Sequence, residues 1–145
     1  MATMTTWISA AVALAAGVAD ASQAQRPAAR AMIVVDEADV RREEPTPHGR
    51  IGTSTAYRIS DQVPGRTMEF RKRTLHPGAA IGLHPLAHDE VYYVLSGEGE
   101  VQSGADKQRL TAGMAAYLYD GATVGIRQLG TKPLVLIVSY PVMRK

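Results

Sequence analysis

The chain has 145 residues, 46% hydrophobic and 21% charged, which suits one domain with a core of its own. Its net charge is +2, from 16 basic and 14 acidic residues, so bulk charge argues against a nucleic-acid partner. It has no cysteine, which excludes disulfides, thiolate metal sites and cysteine nucleophiles.

Residues 7–19 are an uncharged run of mostly small apolar residues, followed by Ala19-Asp20-Ala21 and Ser22-Gln23-Ala24. This is the apolar core and cleavage-site pattern of a secretory signal peptide. It predicts residues 1–24 as a leader and a secreted or periplasmic mature protein. Residues 1–6 carry no Lys or Arg, so the terminal amine alone supplies positive charge there. The run is too short for a permanent span, and no stable membrane span is expected after processing.

Residues 25–50 read as an N-terminal strand and linker. Pro27 lies in the linker, Met32-Ile33-Val34-Val35 reads as a strand, and the charged residues 36–44 suit one helical turn. Pro45-Thr46-Pro47-His48-Gly49 stops that turn. Residues 51–145 form the main body. Turns at Pro64-Gly65, Pro77-Gly78, Gly97-Glu98-Gly99, Ser103-Gly104, Ala112-Gly113, Asp120-Gly121 and Leu129-Gly130 punctuate it. No long amphipathic helix survives the glycines and prolines between them. Strands are predicted at 68–75, 90–95, 115–119, 123–128 and 134–140. Many short strands at such spacing indicate an all-β sandwich or barrel. Residues 134–138 are apolar throughout, as for a strand buried on both faces. Arg71-Lys72-Arg73 reads as a solvated strand face, and His76, before Pro77-Gly78, reads as flanking a turn.

The chemistry concentrates between Gly78 and Gly97. Gly78, five residues, His84, Pro85, Leu86, three residues, Glu90, six residues and Gly97 make one block. Gly113, five residues, Tyr119, Asp120, Gly121, two residues, Val124, three residues and Gln128 make a second. Together the blocks resemble the two motifs of the cupin superfamily. The resemblance implies a double-stranded β-helix, a small jelly-roll barrel with its pocket inside, covering roughly residues 70–128. It also implies a metal site, of which only His84 and Glu90 carry over. The family pattern has His at the positions of Leu86 and Val124, Pro at Tyr119 and Asn at Gln128.

Two chemistries stay open for this block. In the first, His84, Glu90 and a third ligand, His88, hold one divalent transition metal (Zn, Mn, Fe, Ni or Cu) with an open position. His48 and His76 are further donors that no spacing selects. In the second, no metal is needed. A carboxylate inside an apolar barrel has its pKa raised, and Glu90 with His84 forms an acid–base pair. Leu86 and Val124 keep that pocket dry, and Tyr92, Tyr117 and Tyr119 add hydroxyl donors. His88 in a polar turn and the tyrosines as packing groups are the plainer alternatives. A helical H-x-x-x-H zinc site is excluded by Pro85 and by the strand-forming Val91-Tyr92-Tyr93-Val94. The expected function is an exported barrel that binds a small molecule, an enzyme of lyase, isomerase or oxygenase type using His84 and Glu90. The alternative is a non-catalytic ligand-binding barrel. Barrels of this family often dimerise, and residues 32–35 offer an edge strand for a homodimer.

Overall fold

Short runs of β-branched and aromatic residues between glycine turns pair as ten antiparallel strands. The computed structural model describes residues 29–142. The leader expected at 1–24 lies outside the described residues. The strands are β1 Arg41–Pro45, β2 Thr53–Tyr57, β3 Met68–Leu75, β4 Ala80–Pro85, β5 Glu90–Ser96, β6 Glu98–Ser103, β7 Asp106–Thr111, β8 Ala115–Leu118, β9 Thr123–Leu129 and β10 Leu134–Pro141. Helix is confined to two 3₁₀ turns among the described residues, Glu37–Val40 and Ile59–Gln62. None of these helices is long and apolar enough to cross a membrane.

Two sheets form. One has the order β1-β2-β3-β10-β5-β8, the other β4-β9-β6-β7. Their inner faces share one apolar core, in which Leu75, Val94, Leu134 and Leu136 of the first sheet meet Ile81, Val101, Val124 and Ile126 of the second. This is the expected jelly-roll barrel.

Two local expectations change. Residues 32–35 form no strand; Met32 and Val34 are 87% and 83% exposed. The N-terminal strand lies instead at β1, whose charged sequence has low strand propensity. Pairing decides it, from Arg41 opposite Tyr57 to Pro45 opposite Thr53. The helical turn expected over 36–44 is limited to Glu37–Val40, capped by Asp36, which accepts the Ala38 N–H at 2.9 Å. In β10 only Leu134, Leu136 and Val138 are buried, while Val135 and Ile137 are half-buried on the outer face. The strand is central in its sheet yet covered on one side only.

The interior changes character along the barrel. Register places Leu134 beside Leu75, then Leu136 between Arg73 and Val94, then Val138 between Arg71 and Tyr92. One more step brings Tyr140 opposite Glu69. One end is therefore apolar and the other carries ionisable groups on the same inner face.

The segment between β1 and β2 lies against β4 near this polar end. The Gly82 N–H donates to the Pro47 carbonyl at 3.3 Å. A Cβ on Gly82 would stand 1.6 Å from the His48 carbonyl oxygen, so only glycine admits this approach. His48 and Arg50 both hold left-handed backbone, at φ 55° and 54°, a conformation that packing must enforce in non-glycine residues. Gly82→Ala is therefore expected to push the 45–50 segment off β4 and cost about 1–3 kcal/mol of stability, the range for forced overpacking. Thermal unfolding and the histidine ring resonances measure the two effects; an unchanged melting temperature with unchanged His48 signals contradicts this.

Candidate functional site

The polar end encloses a cavity of about 690 Å³. Its wall is built from alternate residues of several strands, because a strand shows every second side chain to the interior. β3 supplies Arg71 and Arg73, β4 supplies Ile81 and His84, β5 supplies Glu90 and Tyr92, and β10 supplies Val138 and Tyr140. The 44–50 segment adds Glu44, His48 and Arg50, and the β4–β5 connection adds Leu86 and His88.

Glu90 is 6% exposed. Burial raises its pKa above the ordinary carboxylate value, against the lowering pull of His84, His88, Tyr92 and Arg71. Tyr92 lies two residues on, on the same inner face, and is fully buried. Its hydroxyl has no hydrogen-bond partner of good geometry. Burial, and next the Glu90 charge, push its pKa well above 10. It is a neutral phenol whose hydroxyl lies beside the Glu90 carboxyl.

The histidines are oriented by their backbone partners. His84 Nδ1–H donates to the Gly82 carbonyl at 2.9 Å, which makes Nε2 the free nitrogen. His48 stacks on the same ring, with centroids 3.6 Å apart and planes 6° apart. Burial, then the neighbouring His84, lower the His48 pKa, so this stack does not hold two charged rings. His88 Nδ1–H donates to the Asp89 carbonyl at 3.2 Å, and its ring stacks on Tyr140 at 4.5 Å. His88 thus lines the cavity; it is not a solvated loop residue.

The arginines were not legible as site residues. Arg73 is 6% exposed, contrary to the solvated face expected for 71–73. It donates to Ser54 Oγ at 2.6 Å and to Glu44 at 2.7 Å. Arg58 donates to both oxygens of the same carboxylate, at 3.1 and 2.9 Å. Burial raises the Glu44 pKa, but Arg73 and Arg58 outweigh it and hold the carboxyl below its usual value. Arg71 pairs with Glu69 at 3.1 Å and Asp61 at 3.6 Å. Only Lys72 of the trio faces outward, 4.0 Å from the Tyr57 ring centroid and paired with Glu37. The available signal was parity: Arg71 and Arg73 keep step with the core residue Leu75.

Other expected pocket residues lie elsewhere. Tyr117 and Tyr119 are 56% and 69% exposed. In β8 it is Leu118 that points inward, so Tyr117 faces out. The Tyr117 hydroxyl donates to Asp89 Oδ2 at 2.5 Å and steadies the β4–β5 connection from outside. Val124 is fully buried in the core, opposite His84 in the β4–β9 register, and does not line the cavity. His76 hydrogen-bonds Thr55 outside the cavity. Gln128 accepts the Gly78 N–H and donates to three carbonyls, of Leu129, Gly130 and Lys132, locking one motif to the other.

The donor set does not fit a metal ion. Among the described residues no three His, Asp or Glu side chains group as ligands. His84, His88 and Glu90 share the cavity without assembling into a ligand set. Leu86 and Val124 put aliphatic groups where the resemblance implies imidazoles, and the His84 ring is engaged in a stack.

The comparisons agree with the architecture. The cupin domain family matches residues 71–140. The fold resembles a predicted oxalate decarboxylase of Thermotoga maritima at TM-score 0.67 and 21% identity, over 77% of this chain and 100% of that one. It resembles a Thermus thermophilus protein at 0.60 and 28%, over 76% and 97%. A cupin 2 conserved barrel domain protein of Rhodopseudomonas palustris follows at 0.62 and 14%, over 72% and 74%. The chain belongs to the cupin superfamily. Among curated proteins no sequence matches it.

Glu90 leaves a signature in stability. Its folded pKa is raised, so between the unfolded and folded values the native state keeps a proton that the unfolded state has lost. Stability from this group is present below the unfolded value and is lost as pH rises through the folded one. Glu90→Gln is expected to raise the melting temperature at neutral pH, with the gap closing below about pH 4, beneath the ordinary carboxylate pKa. A gap that does not change with pH contradicts the raised pKa.

Proposed function

We propose that this cupin is an enzyme of the isomerase or lyase type that moves protons on a small carbonyl compound, with His84 and Glu90 as its acid–base pair. One observation carries the reading: a buried carboxyl with raised pKa shares a cavity with an imidazole whose Nδ1 is tied to a carbonyl. Neutral His84 accepts, at Nε2, the proton of a carbon next to the substrate carbonyl. Protonated Glu90 donates its proton to the carbonyl oxygen as the C–H electron pair forms the enol. His84 then gives its proton to the former carbonyl carbon while the hydroxyl on the deprotonated carbon returns one to Glu90, completing an isomerisation; where the β-carbon bears a leaving group, that group departs with the His84 proton as the enol O–H returns its own to Glu90, and the reaction is an elimination. The neutral Tyr92 hydroxyl supplies a further hydrogen bond to the developing oxyanion. A dry wall of Ile81, Leu86 and Val138 strengthens each of these interactions.

The test is exchange of substrate C–H for deuterium in D₂O, followed by NMR across small hydroxy-carbonyl compounds. His84→Ala and Glu90→Gln are each expected to slow exchange by about 100-fold or more, the usual range for a general acid or base. Removal of metal with a chelator is expected to leave the rate unchanged. Exchange that survives both substitutions, or binding with no exchange, identifies a ligand-binding barrel instead. Metal bound at one per chain and lost in His84→Ala overturns the metal-free mechanism.

The reading includes export and a homodimer. The apolar run ahead of Ala24 supports the first, and the amino terminus of the exported protein is expected near Gln25. Recovery of the chain only from the cytoplasm with Met1 intact contradicts export. Phe70, Tyr93 and Leu95 on the outer face of the larger sheet, 42%, 41% and 44% exposed, support the second.

A further inference from the structure

The cavity wall carries more positive charge than its known partners use. Four guanidiniums line it, Arg50, Arg58, Arg71 and Arg73, against two carboxylates, Glu44 and Glu90. Glu44 neutralises only one charge of the Arg58–Arg73 pair that grips it. Arg71 and Arg66 share Glu69 and Asp61, so that outer cluster is balanced. Arg50 forms no ion pair among the described residues, yet it is held at the cavity rim by left-handed backbone. The cavity therefore keeps a positive excess whichever state Glu90 takes.

We infer that the cavity binds a small organic anion, with its carboxylate or phosphate group on the Arg71–Arg50 side and its carbon chain against Ile81, Leu86 and Val138. The inference rests on the proposed reaction only for what happens next to the anion, not for its binding. Guanidinium is suited to the role because its planar fork donates two parallel hydrogen bonds to an oxyanion. Arg71 is positioned from both sides. Glu69 and Asp61 hold it from behind, and its Cζ lies 5.9 Å from the centre of the Tyr140 ring. It also lies within electrostatic reach of Glu90. An anionic group held there places the adjoining carbons beside Glu90 and His84. Guanidiniums lining the cavity beside an apolar wall select charged substrates over neutral analogues of the same shape, because a neutral group leaves them unmatched.

The experiment is calorimetric titration of the full chain with matched probes: lactate against lactamide, and glycerol 3-phosphate against glycerol. At low salt at least one anion is expected to bind about tenfold or more tightly than its neutral partner, the value of one charge-assisted hydrogen bond. Which pair shows the preference names the head group. Arg71→Gln is expected to erase the preference. Arg50→Asn, which tolerates left-handed backbone, is expected to reduce it severalfold without disturbing the fold. Arg66→Gln, outside the cavity in the same ion-pair cluster, controls for general loosening and is expected to leave the preference intact. Equal binding of charged and neutral partners, or an unchanged preference in both Arg71→Gln and Arg50→Asn, overturns the inference. Proton exchange by the wild type separates it from the proposed reaction: anion preference without exchange sinks the reaction alone, and exchange without anion preference sinks this inference alone.

Discussion

The grip of Arg58 and Arg73 on the Glu44 carboxylate organises the functional end of the barrel. Arg73 comes from β3, Arg58 follows β2, and Glu44 belongs to β1. Three consecutive strands of the larger sheet are thereby joined by side chains as well as by their ladder. A charge taken out of water destabilises the fold unless it is paired and hydrogen-bonded. Glu44 receives bonds from both guanidiniums, and Arg73 gains a further acceptor in Ser54. The pairing fixes where β1 ends and so where the 45–50 segment begins. That segment carries His48 onto His84 and Arg50 to the rim.

The orientation of His84 follows from the same approach. Gly82 lets the 45–50 segment come close enough for its N–H to meet the Pro47 carbonyl, while its own carbonyl takes the His84 Nδ1–H. One glycine thus sets a strand's contact with a loop and the tautomer of the ring two residues later. β4 and β9 are out of regular register between Ile81 and His84, which is where this local geometry is accommodated. The stacked His48 ring then limits how His84 turns and disfavours a second positive charge beside it. The His84 ring is oriented by backbone, not by a carboxylate partner.

The fold was more legible than the site because the two depend on different features. Turn glycines and β-branched runs are local signals. They placed β3 at its observed limits and β5, β8, β9 and β10 within a residue of theirs. β1 escaped because its strand character comes from its partner, not from Arg41-Arg42-Glu43-Glu44. Residues 32–35 misled for the converse reason: a β-prone run without a partner does not form a strand. Of the residues lining the cavity, His84, Glu90, Tyr92, Leu86 and His88 were legible because they lie in one short block. Arg71, Arg73, Glu44 and Tyr140 come from strands far apart in sequence, and their meeting is invisible without the fold. Tyr117 and Tyr119 failed on parity, since aromatic character does not reveal which face a strand residue takes.

Leu86 on the cavity wall and Val124 in the core behind His84 put aliphatic groups where the resemblance implies imidazoles. Imidazoles at those positions would bring donors and water to the interior; aliphatic groups remove both. Loss of polar neighbours leaves His84 and Glu90 as a pair rather than half of a ligand set. It also lowers the local dielectric, so the Glu90 proton is held more firmly and every remaining charge acts more strongly. The arginines then become the dominant field in the cavity, since four of them border it and two carboxylates oppose them. A barrel altered in this way exchanges a site that concentrates positive charge on one ion for one that spreads it over guanidiniums along the wall. Such a wall suits an anion held by its ends, with the apolar face and the side chains of His84 and Glu90 lining the space between.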